Sequence, residues 1–151
     1  MTNKITIEHN STAVIDVLQG LMDRLGDLTE PMQRIAGVME DATERAFATE
    51  ASPVTGTPWQ ALSDNYLKAN PSRRGGQILQ ASSGGLAASY TSDYGSDWAE
   101  IGSNKIYAAI HHFGGTPEMA PGPAAIPARE QIGLSREDET DILDIVADYL
   151  I

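Results

Sequence analysis

Cysteine is absent from this chain of 151 residues, which excludes disulfides, thiolate metal ligands and cysteine nucleophiles. Long apolar runs are absent too. Ile5, Thr6 and Ile7 are the whole of the apolar stretch before Glu8, too short for a secretion signal. No stretch approaches the roughly 20 apolar residues of a membrane span. The chain is therefore expected to be made and used in the cytoplasm, without membrane partners. Basic residues are scarce, 10 against 21 acidic, for a formal charge of −11. Wrapping a phosphate backbone needs clustered Lys and Arg, so sequence-specific nucleic-acid binding is not expected. The deficit is uneven, −3 over residues 1–75 and −8 over residues 76–151.

The length fits one ordinary domain, 1–151, divided into a helical hairpin (1–50), a loop-rich linker with a short helix (51–77), and a hairpin, helix, Pro-rich loop and closing helix (78–151). Lys4-Ile5-Thr6-Ile7-Glu8 alternates like a short strand. Asn10, Ser11 and Thr12 offer cap oxygens before Ala13, Val14, Val17, Leu18, Leu21, Met22 and Leu25, one apolar stripe ending at Gly26. A second helix opens with Leu28 as a staple, Thr29 as cap and Pro31 in the first turn. Its stripe runs through Met32, Ile35, Ala36, Met39, Ala42, Thr43, Ala46 and Phe47, and the two helices are expected to form an αα-hairpin.

Pro53, Gly56 and Pro58 then force an extended surface loop. Trp59, Leu62, Tyr66 and Leu67 predict a short helix with Ser63 as a cap, ending near Asn70-Pro71. A basic turn follows at Ser72-Arg73-Arg74-Gly75-Gly76. Residues 89–94 and 97–102, joined at Gly95-Ser96, read as a β-hairpin with Tyr90, Trp98 and Ile101 as packing residues. Residues 105–113 have helical spacing and stop at Gly114-Gly115. A loop with Pro117, Pro121, Pro123 and Pro127 leads to Ser135, the cap of a helix over residues 136–149 with Asp138 in the capping-box position. Its buried face is Ile142, Ile145, Val146 and Tyr149. The order of elements predicts an α+β fold with a small antiparallel or mixed β-sheet and a closing C-terminal helix.

Catalytic constellations are few. His111 and His112 point about 100° apart on a helix and lack further ligands, so neither metal nor cofactor is expected. Lone His9 completes no triad. The paired glycines at 75–76, 84–85 and 114–115 lack the spacing of a phosphate-binding loop, and no Gly-x-Ser-x-Gly elbow occurs. The chain is poorly equipped as an enzyme. Glu137, Asp141, Asp144 and Asp148 align as an acidic stripe opposite the buried face of the last helix. A solvated face accounts for it; the functional alternative is a surface bordering DNA that must slide past.

One segment is more specific. Ile101-Gly102-Ser103-Asn104, Tyr107-Ala108-Ala109-Ile110-His111, Phe113-Gly114-Gly115, Ile126-Pro127-Ala128-Arg129 and Gly133-Leu134-Ser135 together resemble the phage virion-morphogenesis and tail-completion family. That family includes the tail-completion proteins of P2-like phages and the G protein of Mu-like phages. Upstream, Trp59-Gln60-Ala61-Leu62, Ile78-Leu79 and Ser83-Gly84-Gly85-Leu86 fall in the same order. Glu130-Gln131-Ile132 stand where the family commonly has Pro-Phe-Leu, which removes an aromatic anchor.

The resemblance implies a structural virion protein, assembled in the host cytoplasm, for tail completion, tail termination or head–tail joining at the neck. Its expected partners are other tail and neck proteins, and it is expected to form a homo-oligomeric ring, with six copies matching a six-fold tail. An acidic DNA mimic or regulatory binding protein is the alternative. Tyr107, Ile110 and Phe113 are expected to pack on the Tyr90/Trp98 hairpin and to hold the loop from Gly114 to Pro127 at the surface. With the 51–58 loop, this makes Val54, Thr55, Pro58, Arg73, Arg74, Phe113, Met119, Pro121, Ile126 and Arg129 the candidate partner contacts.

Overall fold

A computed structural model of the chain describes residues 12–119 and 125–150. The expected strand at residues 4–8, the cap oxygens of Asn10 and Ser11, Pro121 and Pro123 lie outside the described residues, as does the burial of Leu21 and Met22. The element order is α1 (Thr12–Leu25), α2 (Thr29–Thr49), α3 (Asp64–Ala69), β1 (Tyr90–Tyr94), β2 (Ala99–Ser103), α4 (Ala108–Phe113) and α5 (Arg136–Leu150), with single 3-10 turns at Pro71–Arg73 and Ala87–Ser89. The fold is α+β, with helices first, one two-stranded antiparallel sheet and a C-terminal helix.

Helix α2 is the spine. Toward its N-terminal end, Met32, Ile35 and Ala42 pack with Leu28, Leu134 and the Ile142, Ile145 and Val146 face of α5. At its C-terminal end Ala46 and Phe47 enter a second cluster with Trp59, Ile78, Leu86 and Ala108. Here the Phe47 and Trp59 rings meet edge to face at 5.4 Å, a geometry that aligns ring edge with ring face. The hairpin lies along α2 in the register Tyr90 to Ser103 through Tyr94 to Ala99. Its turn is tied to the start of α2 by the Leu28 amide donating to Ser96 O at 2.9 Å.

Local chemistry sets the helix ends. Ser135 and Asp138 form the expected capping box: the Ser135 amide donates to Asp138 Oδ2 at 2.8 Å and the Asp138 amide to Ser135 Oγ at 3.1 Å. At α2 the cap oxygen is not that of Thr29 but of Asp27, which accepts the Thr29 amide at 2.9 Å and the Thr29 hydroxyl at 2.6 Å. A carboxylate two residues back reaches the free amides better than a hydroxyl on the first helical residue. Those bonds, the hydroxyl's first, hold the Asp27 carboxyl below its ordinary range.

Three expectations need correcting. Among the described residues α1 leaves Val17 and Leu25 exposed, and its Val14 and Leu18 rest on the cluster that α5 shares with α2, so α1 finds its main helical neighbour in α5. Trp98 is 44% exposed, its indole set against Gly95 at the hairpin turn instead of entering the core. Trp59 and Leu62 precede α3 and do not belong to it, although Ser63 caps it as expected, accepting the Tyr66 amide at 3.2 Å. Residues 59–62 stay extended because the Trp59 amide donates to Glu50 O at 2.7 Å while the Gln60 and Ala61 carbonyls are taken by a side chain from far along the chain.

Candidate assembly interface

That side chain is Arg129. It is 6% exposed, and it donates from Nε to Gln60 O at 2.8 Å and from Nη2 to Ala61 O at 3.2 Å. Its own amide donates to His111 O at 2.8 Å. The sequence marks it as a surface contact, whereas the structure turns the guanidinium inward, and no carboxylate pairs with it among the described residues. Buried cations need acceptors, and carbonyls supply them here.

Beside it Gln131, not an aromatic, fills the core. It is fully buried, accepts the Tyr90 hydroxyl on Oε1 at 2.5 Å and donates from Nε2 to Arg129 O at 2.6 Å. Its amide donates to Nδ1 of the buried His112 at 3.1 Å. A polar network thus occupies the place of an aromatic anchor. Burial raises the Tyr90 phenol above its ordinary range. His112 is lowered by burial, opposed by the Glu130 charge; His111 is lowered by burial and further by the charge of Arg129. No group of three or more ligating side chains occurs among the described residues.

The 51–58 loop is closed at its base by the Ala51/Pro58 bridge and by the Ser52 amide donating to Thr57 O at 2.9 Å. Ser52 Oγ accepts the Val54 and Thr55 amides and donates to Glu130 at 2.5 Å. Val54, Thr55 and Pro58 are left exposed, with Val54 against Gly133. Pro58 shares a shallow depression with Phe113, Ala128 and Glu130.

Phe113 is 65% exposed and Tyr107 41%; it is Ala108, fully buried, that docks α4 in the Trp59 cluster with Tyr90. Residues 105–107 form a turn before α4, and within the helix Ala108 and His112 are the buried positions, so Tyr107 and Phe113 do not pack on the hairpin as expected. Met119 is 39% exposed and Arg74 exposed. Arg73, half-buried, and Ile126 line a groove of about 600 Å³ together with Arg129. The acidic stripe of Glu137, Asp141, Asp144 and Asp148 is exposed, Asp148 lying 3.5 Å from Arg34. Two groups of candidates thus share a surface, Pro58 with Phe113 around the depression and Arg73 with Ile126 and Arg129 at the groove, while Val54 and Thr55 are exposed on the loop that carries Pro58, and Arg74 and Met119 line neither.

Residues 9–151 match the model of the phage virion morphogenesis family. The chain belongs to that family. It is 41% identical over 147 residues to the G protein of Escherichia phage Mu, whose name assigns it to capsid assembly, with 94% of each chain covered. It is 33% identical over 141 residues to the Mu-like prophage FluMu G protein 2 of Haemophilus influenzae, covering 93% of this chain and 91% of the relative. The FluMu G protein 1 of the same organism is 34% identical over 116 residues, with 76% and 73% covered. No solved structure matches it. As a member of this family the chain has a structural or assembly role in making the phage particle. None of the described helices is long and apolar enough to cross a membrane.

Chain-distant polar side chains were the part of this surface that sequence reasoning missed. Glu50 closes α2 in a left-handed conformation (φ 52°) and its carboxylate accepts the Ile78 amide at 2.5 Å. Gln131 and Glu130 anchor loops in the same way. The signal for Gln131 was present in the sequence, a polar residue where the family resemblance leads one to expect an aromatic.

Proposed function

We propose that the chain completes the tail and joins it to the head, acting as a ring of copies at the neck end of the tail. The observation that carries this reading is the meeting of exposed apolar side chains, Pro58 from the 51–58 loop and Phe113 from α4, around one depression, with Val54 exposed on the same loop. Exposed aromatic and aliphatic groups clustered on pre-ordered backbone suit subunit contacts, because little entropy is lost on binding. Nothing comparable to a catalytic constellation accompanies them among the described residues.

Imaging of particles made without this chain tests the reading. Heads and tails that are each complete in length but remain unjoined, with the purified chain restoring joining, are the expected result. Normal joined particles end the proposal. The name of the Mu relative favours a second reading, a role in capsid assembly, which predicts finished tails and no heads.

A further inference from the structure

The groove between α3, the 79–86 loop and α4 has a composition unlike the rest of the chain. Its apolar wall is made by Leu62, Tyr66, Leu79, Leu86 and Tyr107. Its charged residues are Arg73 and Arg129, with His111 beside them, and in a chain with 21 acidic residues no Asp or Glu among the described residues lines it. Arg73 Nε and His111 Nδ1 are buried without a hydrogen-bond partner. Neither guanidinium has a carboxylate among the described residues. Unpartnered buried polar atoms cost stability unless a ligand meets them. Arg73 donates from Nη2 to Gln77 O at 2.5 Å and Arg129 is held by the Gln60 and Ala61 carbonyls, so the positive charge of Arg73 at the groove is the one left for a carboxylate to meet.

The complementary surface is on the same chain but elsewhere. Glu137, Asp141 and Asp144 stand exposed on α5, which also exposes Leu143, and no residue of α5 lines the groove. We infer that the groove of one copy receives the acidic stripe of α5 from a second copy. This rests on the ring reading and names the contact that would build it. Groove and stripe differ, so each contact leaves one of each free, and such head-to-tail pairing closes into a ring or continues as a filament. The stripe then faces a neighbouring subunit and not DNA.

Sedimentation velocity of the full chain at about 50 mM salt, where charge pairing is weakly screened, supplies the test. Arg73→Glu and the double variant Asp141→Lys/Asp144→Lys are each expected to weaken self-association at least about tenfold, and an equimolar mixture to recover it. Arg129 is left alone because it holds residues 60 and 61. Should Arg73→Glu lower the melting temperature, a second measurement stands free of it. The chain has no cysteine, so chains carrying Ser82→Cys, at the groove, mixed with chains carrying Asp144→Cys should form a disulfide-linked pair on mild oxidation. The pair should exceed either chain's self-linking.

A monomeric parent chain, no recovery on mixing, or no excess of the mixed pair overturns the inference. A parent chain that self-associates but ignores both charge variants ends the groove contact and leaves the tail reading intact. Joined particles without the chain end the tail reading whatever the variants do.

Discussion

Asp138 is the residue on which two elements depend. It caps α5 and accepts Arg45 Nη2 at 2.7 Å and Nη1 at 3.2 Å, so one 4%-exposed carboxylate ties the last helix to α2. Burial alone would raise its pKa, but the bonds from Arg45 and Ser135 outweigh that and leave it lowered. A lowered folded pKa contributes stability that is present above the unfolded value and lost as pH falls through the folded one. Urea unfolding should therefore show Asp138→Ala less stable by about 2–3 kcal/mol at neutral pH, from the lost cap and the stranded donors. Asp138→Asn should flatten the loss of stability below about pH 4.

His111 and His112 act at milder acidity. Both are lowered by burial, so the unfolded chain takes up protons first as pH drops below about 6.5 and stability falls there. His111→Gln should reduce the change in urea midpoint between about pH 7 and pH 5.5. Gln131→Leu leaves the Tyr90 hydroxyl without its acceptor and should cost about 1–3 kcal/mol by the same measurement.

Among elements, the turn after α4 is the least tolerant. Gly114 has φ 78°, and a Cβ there would lie 2.7 Å from Ala128 N. Gly114→Ala should lose about 1–3 kcal/mol in thermal unfolding, and it should displace Phe113 from the Pro58 depression. Helix ends were legible from sequence where the cap is local: Ser63, Ser135 with Asp138, and Gly114 all stand within four residues of what they bond. The hairpin was legible from alternation and Gly95-Ser96. What sequence could not reveal was the direction of side chains whose partners lie far along the chain. Arg129 turns inward because of carbonyls 68 and 69 residues away. Tyr107 falls just before α4, which starts three residues later than its apolar spacing suggests, and Phe113 lies on a different face of it from the buried Ala108 and His112.

At the scale of the molecule the negative charge dominates. The −11 balance is concentrated toward the C-terminal half, where the stripe on α5 sets like charges three and four residues apart. Such repulsion weakens the helix and is screened by salt. At protein concentrations low enough to keep the chain monomeric, raising ionic strength from about 20 mM to about 200 mM should lift its melting temperature by about 2–4 °C. Asp141→Lys should shrink that dependence.

The Arg45–Asp138 clamp spans 93 residues of chain. Closing so large an interval carries an entropic cost that short-range contacts avoid, and the reward comes only once both ends exist. During synthesis, the Met32, Ile35 and Ala42 part of α2 that packs on α5 must therefore stay incompletely covered until residues as far as Val146 have left the ribosome. Nascent chains held back before that point should be far more prone to stick to one another, or to recruit a chaperone, than those released just beyond it.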